Sequence, residues 1–188
     1  MNIGIDFDGV ILDTERHNSF WADYYSHFVL NKKRLRNNTV SQELCFDWSK
    51  DNFDEFYKTY FMKASKDADF LPGVKEILQK LKDDGHKLYI ISLRGFYHKF
   101  EVKPALDKIK KLKIDFDGVF FGIENKMEKC KELELSVMIE DNPENIEHFF
   151  DSNIKMIYLR DKNMRKLNHQ NVIEVNNWVD IYKTISKL

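Results

Sequence analysis

The hydrophobic positions of the chain form short apolar runs, and these alternate with stretches in which apolar residues recur at helical spacing. Five runs are short enough to be single strands, and their apolar character is typical of strands buried within a sheet. They span residues 3–7, 87–91, 119–121, 137–139 and 156–159. Repeated units of strand and helix predict an α/β fold with a parallel sheet, right-handed crossovers and helices on both faces.

The clearest helix signal follows Pro72 and Gly73, a pair that suits the start of a helix. The apolar residues after this pair are spaced for one buried face: Val74, Ile77, Leu78 and Leu81. Further helices are predicted over residues 100–112, 126–133 and 143–150. These helices occupy the intervals between the strands, which is the arrangement that a three-layer core requires.

Residues 14–70 break this alternation. The segment contains no convincing strand and is dense in aromatic residues, several of which recur at helical spacing between positions 53 and 61. We therefore predict a helical insertion over residues 14–70, with the core formed by residues 1–13 and 71–188. Its two junctions, near Asp13 and Leu71, would lie close together and place the insertion over the end of the first strand. Most of its aromatic residues are interpreted as its own small core.

Composition narrows the class of protein. A chain of 188 residues is long enough for one well-packed domain with a small insertion. The net charge of −1 and the pI of about 6.6 give no indication of a nucleic-acid polymer or an anionic membrane as a partner. No apolar run approaches the ~18 residues of a membrane span, and the first strand leaves no room for a leader peptide. Cys45 and Cys130 lack metal-type spacing, and a reduced, cytoplasmic protein is the simplest expectation. We expect the protein to be a monomer or a homodimer.

The hexapeptide Ile-Asp-Phe-Asp-Gly-Val occurs twice, at residues 5–10 and 114–119. In the first copy, Asp6 and Asp8 follow an apolar strand and would lie at its carboxyl end, where open α/β sheets bind ligands. In the second copy, Asp115 and Asp117 precede their strand and would lie at the opposite edge. We therefore assign the chemistry to Asp6 and Asp8 and interpret the second pair as a polar turn.

Three further sets of polar residues follow predicted strands. Ser92, Leu93 and Arg94 follow the second strand, Lys126 lies shortly after the third, and Glu140 and Asp141 come at the end of the fourth. Because the carboxyl ends of parallel strands meet at one edge of a sheet, these residues and the Asp6–Asp8 pair are expected to share a pocket.

Each of these residue types has a physical role in phosphoryl chemistry. Clustered carboxylates repel one another, and Mg²⁺ with its preference for oxygen ligands is the natural compensation. A carboxylate beside that ion can attack phosphorus, and a second carboxyl can protonate the leaving oxygen. A lysine ammonium and a serine hydroxyl can stabilise the non-bridging oxygens. Gly9 allows a sharp turn just beyond the reacting groups.

The run Asp6-Phe7-Asp8-Gly9-Val10, the serine after Ile90-Ile91, the isolated Lys126 and the pair Glu140-Asp141 resemble, in order, the four motifs of the haloacid dehalogenase superfamily. The resemblance spans nearly the whole chain apart from the insertion, which is similar to that superfamily's helical cap of the first type. It implies a Rossmann-like three-layer core that binds Mg²⁺ and acts through a phosphoaspartate. Because family dehalogenases lack an acid at the second position, Asp8 favours phosphate chemistry.

The resemblance also implies individual roles. Asp6 would be the nucleophile and a metal ligand, and Asp8 the general acid and base, with its backbone carbonyl on the metal. Asp141 would be a further metal ligand, and Glu140 either an alternate ligand or a residue behind the ligands. Phosphate would be bound by Ser92 and Lys126 with the adjoining Gly9, Leu93 and Arg94. Lys129 competes with Lys126, and Arg94 either contacts substrate or pairs with a carboxylate.

Within the superfamily, the runs at residues 91–95 and 139–145 are most similar to the 5'(3')-deoxyribonucleotidase family and its bacterial relatives. This similarity implies a small phosphorylated metabolite as substrate, most simply a nucleotide. The run at residues 8–15 also resembles the start of the β-phosphoglucomutase and phosphoglycolate phosphatase subgroup. A sugar-phosphate phosphatase or phosphomutase therefore stays open as an alternative, and a non-catalytic phosphate-binding protein as a remote one.

Overall fold

The computed structural model describes residues 1–39 and 42–188. Six strands form one sheet in the order β3-β2-β1-β4-β5-β6, and each neighbouring pair is parallel. The predicted α/β fold class is confirmed. The strands are β1 (Asn2–Ile5), β2 (Lys87–Ser92), β3 (Gly118–Phe121), β4 (Val137–Glu140), β5 (Lys155–Leu159) and β6 (Val172–Val175).

Helices cover both faces of the sheet, so the core has three layers. The helices that cover the core are α5 (Val74–Asp83), α6 (Val102–Leu112), α7 (Lys126–Glu132), α8 (Pro143–Glu147) and α9 (Trp178–Ile185). On one face, α5, α6 and α9 pack against the strands through residues such as Leu78, Ile109 and Trp178. On the other face, α7 and α8 contribute Cys130 and Ile146 to a second apolar cluster.

Several predicted boundaries were wrong, and two elements were not predicted. β1 ends at Ile5 because the next residues turn, with the Phe7 carbonyl accepting hydrogen bonds from the backbone N–H groups of Ile11 and Leu12. The helix predicted to reach residue 150 stops at Glu147, where tighter turns take over. β6 and α9 extend the fold beyond the last predicted strand. Among the described residues, no helix has the length and apolarity needed to cross a membrane.

The helical insertion, residues 14–70, has its own aromatic core. Its described helices are α1 (Thr14–Tyr24), α2 (Gln42–Cys45), α3 (Lys50–Phe56) and α4 (Met62–Asp67), with π-helical turns after α1 and between α3 and α4. The rings of Phe46 and Trp48 stack at 4.5 Å, and Tyr25 and Phe56 are fully buried beside them. The cysteines Cys45 and Cys130 are both free and buried.

The two connections between insertion and core lie side by side. The backbone N–H of Asp13 donates to the carbonyl of Asp69, and that of Leu71 donates to Ile11, both at 2.9 Å. Chain entry and exit are thereby held above the carboxyl end of β1. Since β1 lies between β2 and β4, this is the point of the sheet where strand order reverses and where open α/β sheets bind ligands.

Candidate active site

Asp6 is the first residue after β1 and is almost fully buried, with 6% of its surface exposed. The ammonium nitrogen of Lys126 lies 2.9 Å from Asp6 Oδ1 and 2.6 Å from Glu140 Oε2. Lys126 is therefore held between two carboxylates from neighbouring strands. Removing one partner of such a buried ion pair would be destabilising, because it would leave the other charge buried without compensation.

Lys126 reaches this position from the first turn of α7. The side chain of Asn125 caps that helix by accepting a hydrogen bond from the backbone N–H of Glu128 at 3.1 Å. Burial lowers the pKa of the Lys126 ammonium, but the charges of Asp6 and Glu140 outweigh burial and raise that pKa overall. Lys126 therefore stays charged. Lys129, its competitor in the sequence, instead pairs with Glu132 on the surface.

Glu140 ends β4 and Asp141 follows it, but the two residues differ in what they contact. Glu140 Oε1 accepts hydrogen bonds from the backbone N–H groups of Asp141 at 3.2 Å and Asn142 at 3.1 Å, while its other oxygen faces Lys126. Glu140 thus braces the loop and the lysine, and lies behind the cavity wall. Asp141 lines the cavity and lies against Gly9. An alanine at position 9 would place its methyl group 1.9 Å from Asp141 Oδ2.

The site carries an excess of negative charge. Burial raises the pKa of Asp6 well above its ordinary value, and the charge of Glu140 raises it further. The pKa of Asp141 is raised by burial first, and then by Glu140 and Glu15. One carboxylate oxygen from each of Asp6, Glu140 and Asp141 lies within 4.8 Å of the others. This set of hard oxygen donors fits a divalent cation such as Mg²⁺, which would offset the repulsion.

Asp8 is held by an arginine that also touches the insertion. Arg94 Nε donates to Asp8 Oδ2 at 2.9 Å, and a second guanidinium nitrogen contacts Asp8 Oδ1. The remaining terminal nitrogen donates to the hydroxyl of Ser65 on α4. The Arg94 side chain is fully buried in this arrangement. The guanidinium therefore joins the proposed acid of the core to the insertion.

Ser92, Leu93 and Gly9 complete the set predicted from the sequence. Ser92 ends β2, is 2% exposed and accepts a hydrogen bond from the backbone N–H of Arg94 at 3.2 Å. Leu93 lines the same cavity as Asp6, Asp8, Ser92 and Lys126. Gly9 has a φ of +72°, a conformation that glycine adopts without strain. The structure thus brings the predicted residues to one edge of the sheet.

Two residues of the insertion were missed by the sequence reasoning. Glu15 and Asn18 lie one turn apart on α1, and both line the cavity of about 250 Å³ that contains Asp6 and Asp8. Burial and the charges of Asp8 and Asp6 raise the pKa of Glu15 to about 8. Glu15 stands within the run at residues 8–15 that resembles a sugar-phosphate subgroup, and this was the signal available for it.

A larger groove of about 1280 Å³ adjoins this cavity between the insertion and the β5–β6 side of the core. Glu15, Gln42 and Asp141 line both spaces. Because these residues line both spaces, the groove and the cavity share a boundary at the end of β4 and the start of the insertion.

The second hexapeptide lies at the other edge of the sheet. Asp117 precedes β3, where its Oδ2 accepts hydrogen bonds from the backbone N–H of Leu88 and from Lys82 Nζ. Asp115 is exposed on the same turn. Neither residue lines the cavity at the carboxyl ends of the strands.

A parallel sheet with carboxylates at the ends of β1 and β4, and with helices directly after β1, is the fold of haloacid dehalogenase-like proteins. A solved hydrolase of the haloacid dehalogenase-like family from Streptococcus pneumoniae shares this fold, with a TM-score of 0.68 at 18% identity over 98% of this chain and 97% of that one. A "predicted phosphatase from Clostridium acetobutylicum" does so with a TM-score of 0.73 at 18% identity, covering 100% and 98%.

The family is given by a match to a family model, and a similar curated protein carries a related name. A family model described as "5' nucleotidase, deoxy (Pyrimidine), cytosolic type C protein" matches residues 1–188, so the chain belongs to this family. A protein named as a nucleotidase from Clostridium acetobutylicum is 23% identical, over 100% of this chain and 95% of the relative. The chain is therefore an enzyme, a phosphatase related to nucleotidases, as the sequence resemblance predicted.

Proposed function

We propose that the chain hydrolyses phosphomonoesters with the help of Mg²⁺, through an aspartyl phosphate on Asp6, and that its substrates are nucleoside monophosphates, deoxynucleotides included. The observation that carries this proposal is the buried cluster in which Lys126 lies between Asp6 and Glu140 and three carboxylates converge within 4.8 Å. Such a cluster is costly to bury unless it serves a charged ligand.

Mg²⁺ would be held by Asp6, Asp141 and the backbone carbonyl of Asp8, and when bound it would neutralise charge on the phosphoryl oxygens. Glu140 is the weaker candidate for direct ligation, because Lys126 and two backbone N–H groups already use its oxygens. Its role in this proposal is to hold Lys126 beside Asp6.

In the first step, a carboxylate oxygen of Asp6 attacks phosphorus and the bond from phosphorus to the leaving oxygen breaks. The electron pair goes to the leaving oxygen, which takes a proton from Asp8. In the second step, Asp8 removes a proton from water, the water oxygen attacks phosphorus, and the bond to Asp6 breaks. Inorganic phosphate leaves and both aspartates are restored.

Lys126 and Ser92 would bind the non-bridging phosphoryl oxygens during both steps. Both side chains are at least nine-tenths buried. The hydroxyl dipole of Ser92 and the charge of Lys126 therefore interact more strongly with a bound phosphoryl group than they would in bulk water. Arg94 would fix the direction of the Asp8 carboxyl, since it holds both Asp8 oxygens. The insertion would close over the substrate and exclude water, as its contacts above β1 suggest.

The nucleotide assignment is supported by the family match across all 188 residues and by the nucleotidase relative. The test is release of inorganic phosphate by the purified chain from nucleoside 5'- and 3'-monophosphates, ribose 5-phosphate and glucose 6-phosphate, with Mg²⁺ or with a chelator. We expect release that requires Mg²⁺ and is fastest on a nucleoside monophosphate.

Other outcomes of this panel separate the alternatives. Fastest release from a sugar phosphate would keep the mechanism and remove the nucleotide assignment. Conversion between glucose 1-phosphate and glucose 6-phosphate, dependent on a bisphosphate activator, would identify a phosphomutase. No release from any compound would contradict the proposed hydrolysis altogether.

A further inference from the structure

The cavity above Asp6 has two chemically different walls. The core wall carries the residues proposed to hold the phosphoryl group, including Lys126 and Ser92. The other wall comes from the insertion, and its polar residues include Glu15 and Asn18 on α1. These two residues are spaced three apart, so they lie on one face of the helix. The proposed hydrolysis gives no role to this face.

Asn18 is a buried amide that lacks an expected partner. Only 5% of its surface is exposed, and its Oδ1 has no hydrogen-bond partner within the part of the chain that the structure describes. Leaving such an acceptor unsatisfied destabilises the fold. A buried polar group without a partner, at the wall of a cavity, is explained if a ligand provides the missing donor.

Glu15 places this wall on the leaving-group side of the substrate. Glu15 and Asn18 line the same cavity as Asp8. Asp8 is the group proposed to protonate the leaving oxygen, so this wall faces the departing part of the substrate. Whether or not it carries a proton, the Glu15 carboxyl keeps an oxygen that accepts hydrogen bonds.

We propose that Asn18 and Glu15 form the subsite that recognises the leaving group, and that they select a leaving group carrying hydroxyl or N–H donors. A nucleoside or a sugar meets this requirement. A phenol provides no such donor once its oxygen is esterified, and neither does glycolate, which then keeps only a carboxylate. The inference rests on the proposed phosphomonoester hydrolysis, and it adds the chemical class of the alcohol that leaves.

The experiment compares two substrates on three variants. Uridine 5'-monophosphate carries ribose hydroxyls and a ring N–H, whereas phenyl phosphate carries no donor on its leaving group. Asn18→Leu removes the amide at similar volume, and Asn18→Asp keeps the shape and the acceptor. His17→Leu is the matched control, because this neighbour on α1 lines neither the cavity nor the groove.

We expect the ratio of kcat/KM for uridine monophosphate to that for phenyl phosphate to fall about 10- to 100-fold in Asn18→Leu, as for the loss of a hydrogen bond in a closed site. Asn18→Asp should lose less of the ratio, and His17→Leu should keep it. The wild-type chain should also prefer uridine monophosphate to phosphoglycolate, whose leaving group carries no donor.

An unchanged ratio in Asn18→Leu would overturn the subsite, and so would an equal loss on both substrates. If Asn18→Leu does not fold, as judged by thermal unfolding, Asn18→Asp decides: a loss of ratio as large as 10-fold there would contradict the acceptor role. A wild-type preference for phosphoglycolate would also overturn the inference. Failure of the proposed function has a different signature, because the wild type would then release no phosphate from any probe.

Discussion

The two copies of Ile-Asp-Phe-Asp-Gly-Val share every residue, yet they lie at opposite edges of the same sheet. In the first copy, Asp6 is buried and burial raises its pKa. In the second, burial raises the pKa of Asp117, but hydrogen bonds from Lys82 and the backbone of Leu88 outweigh burial and lower that pKa overall. At the equivalent position of the two copies, Asp6 is buried and Asp115 is exposed, because one pair follows its strand and the other precedes it.

The largest expected effect tests this contrast at the nucleophile. Asp6→Asn should reduce kcat/KM for the best substrate by more than about 10⁴-fold, because the amide cannot form an aspartyl phosphate. Asp115→Asn, the same change in the second copy, should leave kcat/KM within about twofold, like most exposed substitutions. A steady-state phosphate-release assay measures both. A strong loss in Asp115→Asn would show that the second copy takes part in the chemistry.

The glycines of the two copies give the next effect. Gly9→Ala forces alanine to a φ of +72° and drives its methyl group into Asp141, so we expect a loss of about 2–4 kcal/mol in stability and about 10²-fold in activity. Gly118→Ala meets the movable rings of Phe120 at 2.6 Å and Tyr89 at 3.1 Å, and should cost about 1 kcal/mol with activity retained. Chemical denaturation and the same assay separate the two. Equal losses would contradict the role of Gly9 in seating Asp141.

A smaller effect concerns the pH dependence of stability. The pKa of Glu15 rises from 4.5 to about 8 on folding, so the folded chain keeps a proton that the unfolded chain releases. The contribution of Glu15 to the free energy of unfolding is therefore fully present below about pH 4.5 and is lost as the pH rises toward 8. Without metal, Glu15→Gln should be more stable than wild type at pH 8 by about 1–3 kcal/mol, and equal to it near pH 4. Urea unfolding across this range measures the difference; parallel curves would contradict it.

The smallest effect has the opposite sign and belongs to the second copy. Because the pKa of Asp117 is lowered, its contribution is present above pH 3.8 and lost as the pH falls below that value. Asp117→Ala should cost about 0.5–1 kcal/mol at pH 7, with the deficit vanishing in acid. Urea unfolding at pH 7 and pH 3 tests this, and activity should be unaffected throughout. A deficit that grows in acid would contradict the assignment.

The sequence predicted the core of the fold because parallel strands buried on both faces leave an apolar run that is visible locally. It also predicted that Asp6, Ser92, Lys126 and Asp141 converge, since strand ends meet by topology alone. β6 was missed for a local reason, because it is a four-residue edge strand that contains Glu174. Short edge strands carry little apolar signal.

The contributions of the insertion could not be predicted in the same way. Which face of α1 meets the cavity depends on how the insertion packs on the core, and no period in the sequence encodes that orientation. Glu15, Asn18 and Ser65 reach the site only through that packing. The sequence likewise left two partners open for Arg94, and the structure places its guanidinium on Asp8.

The contact between Trp178 and the loop after β1 has a practical consequence for protein engineering. The indole N–H of Trp178, the first residue of α9, donates to the carbonyl of Val10 at 2.9 Å across 168 positions of sequence. The loop that carries Asp8 and Gly9 is thus fastened by a helix that was not predicted at all. Deletion of α9, or a fusion that displaces it, would reduce the turnover rate although every reacting group is intact. Affinity tags and linkers are therefore best kept clear of this helix.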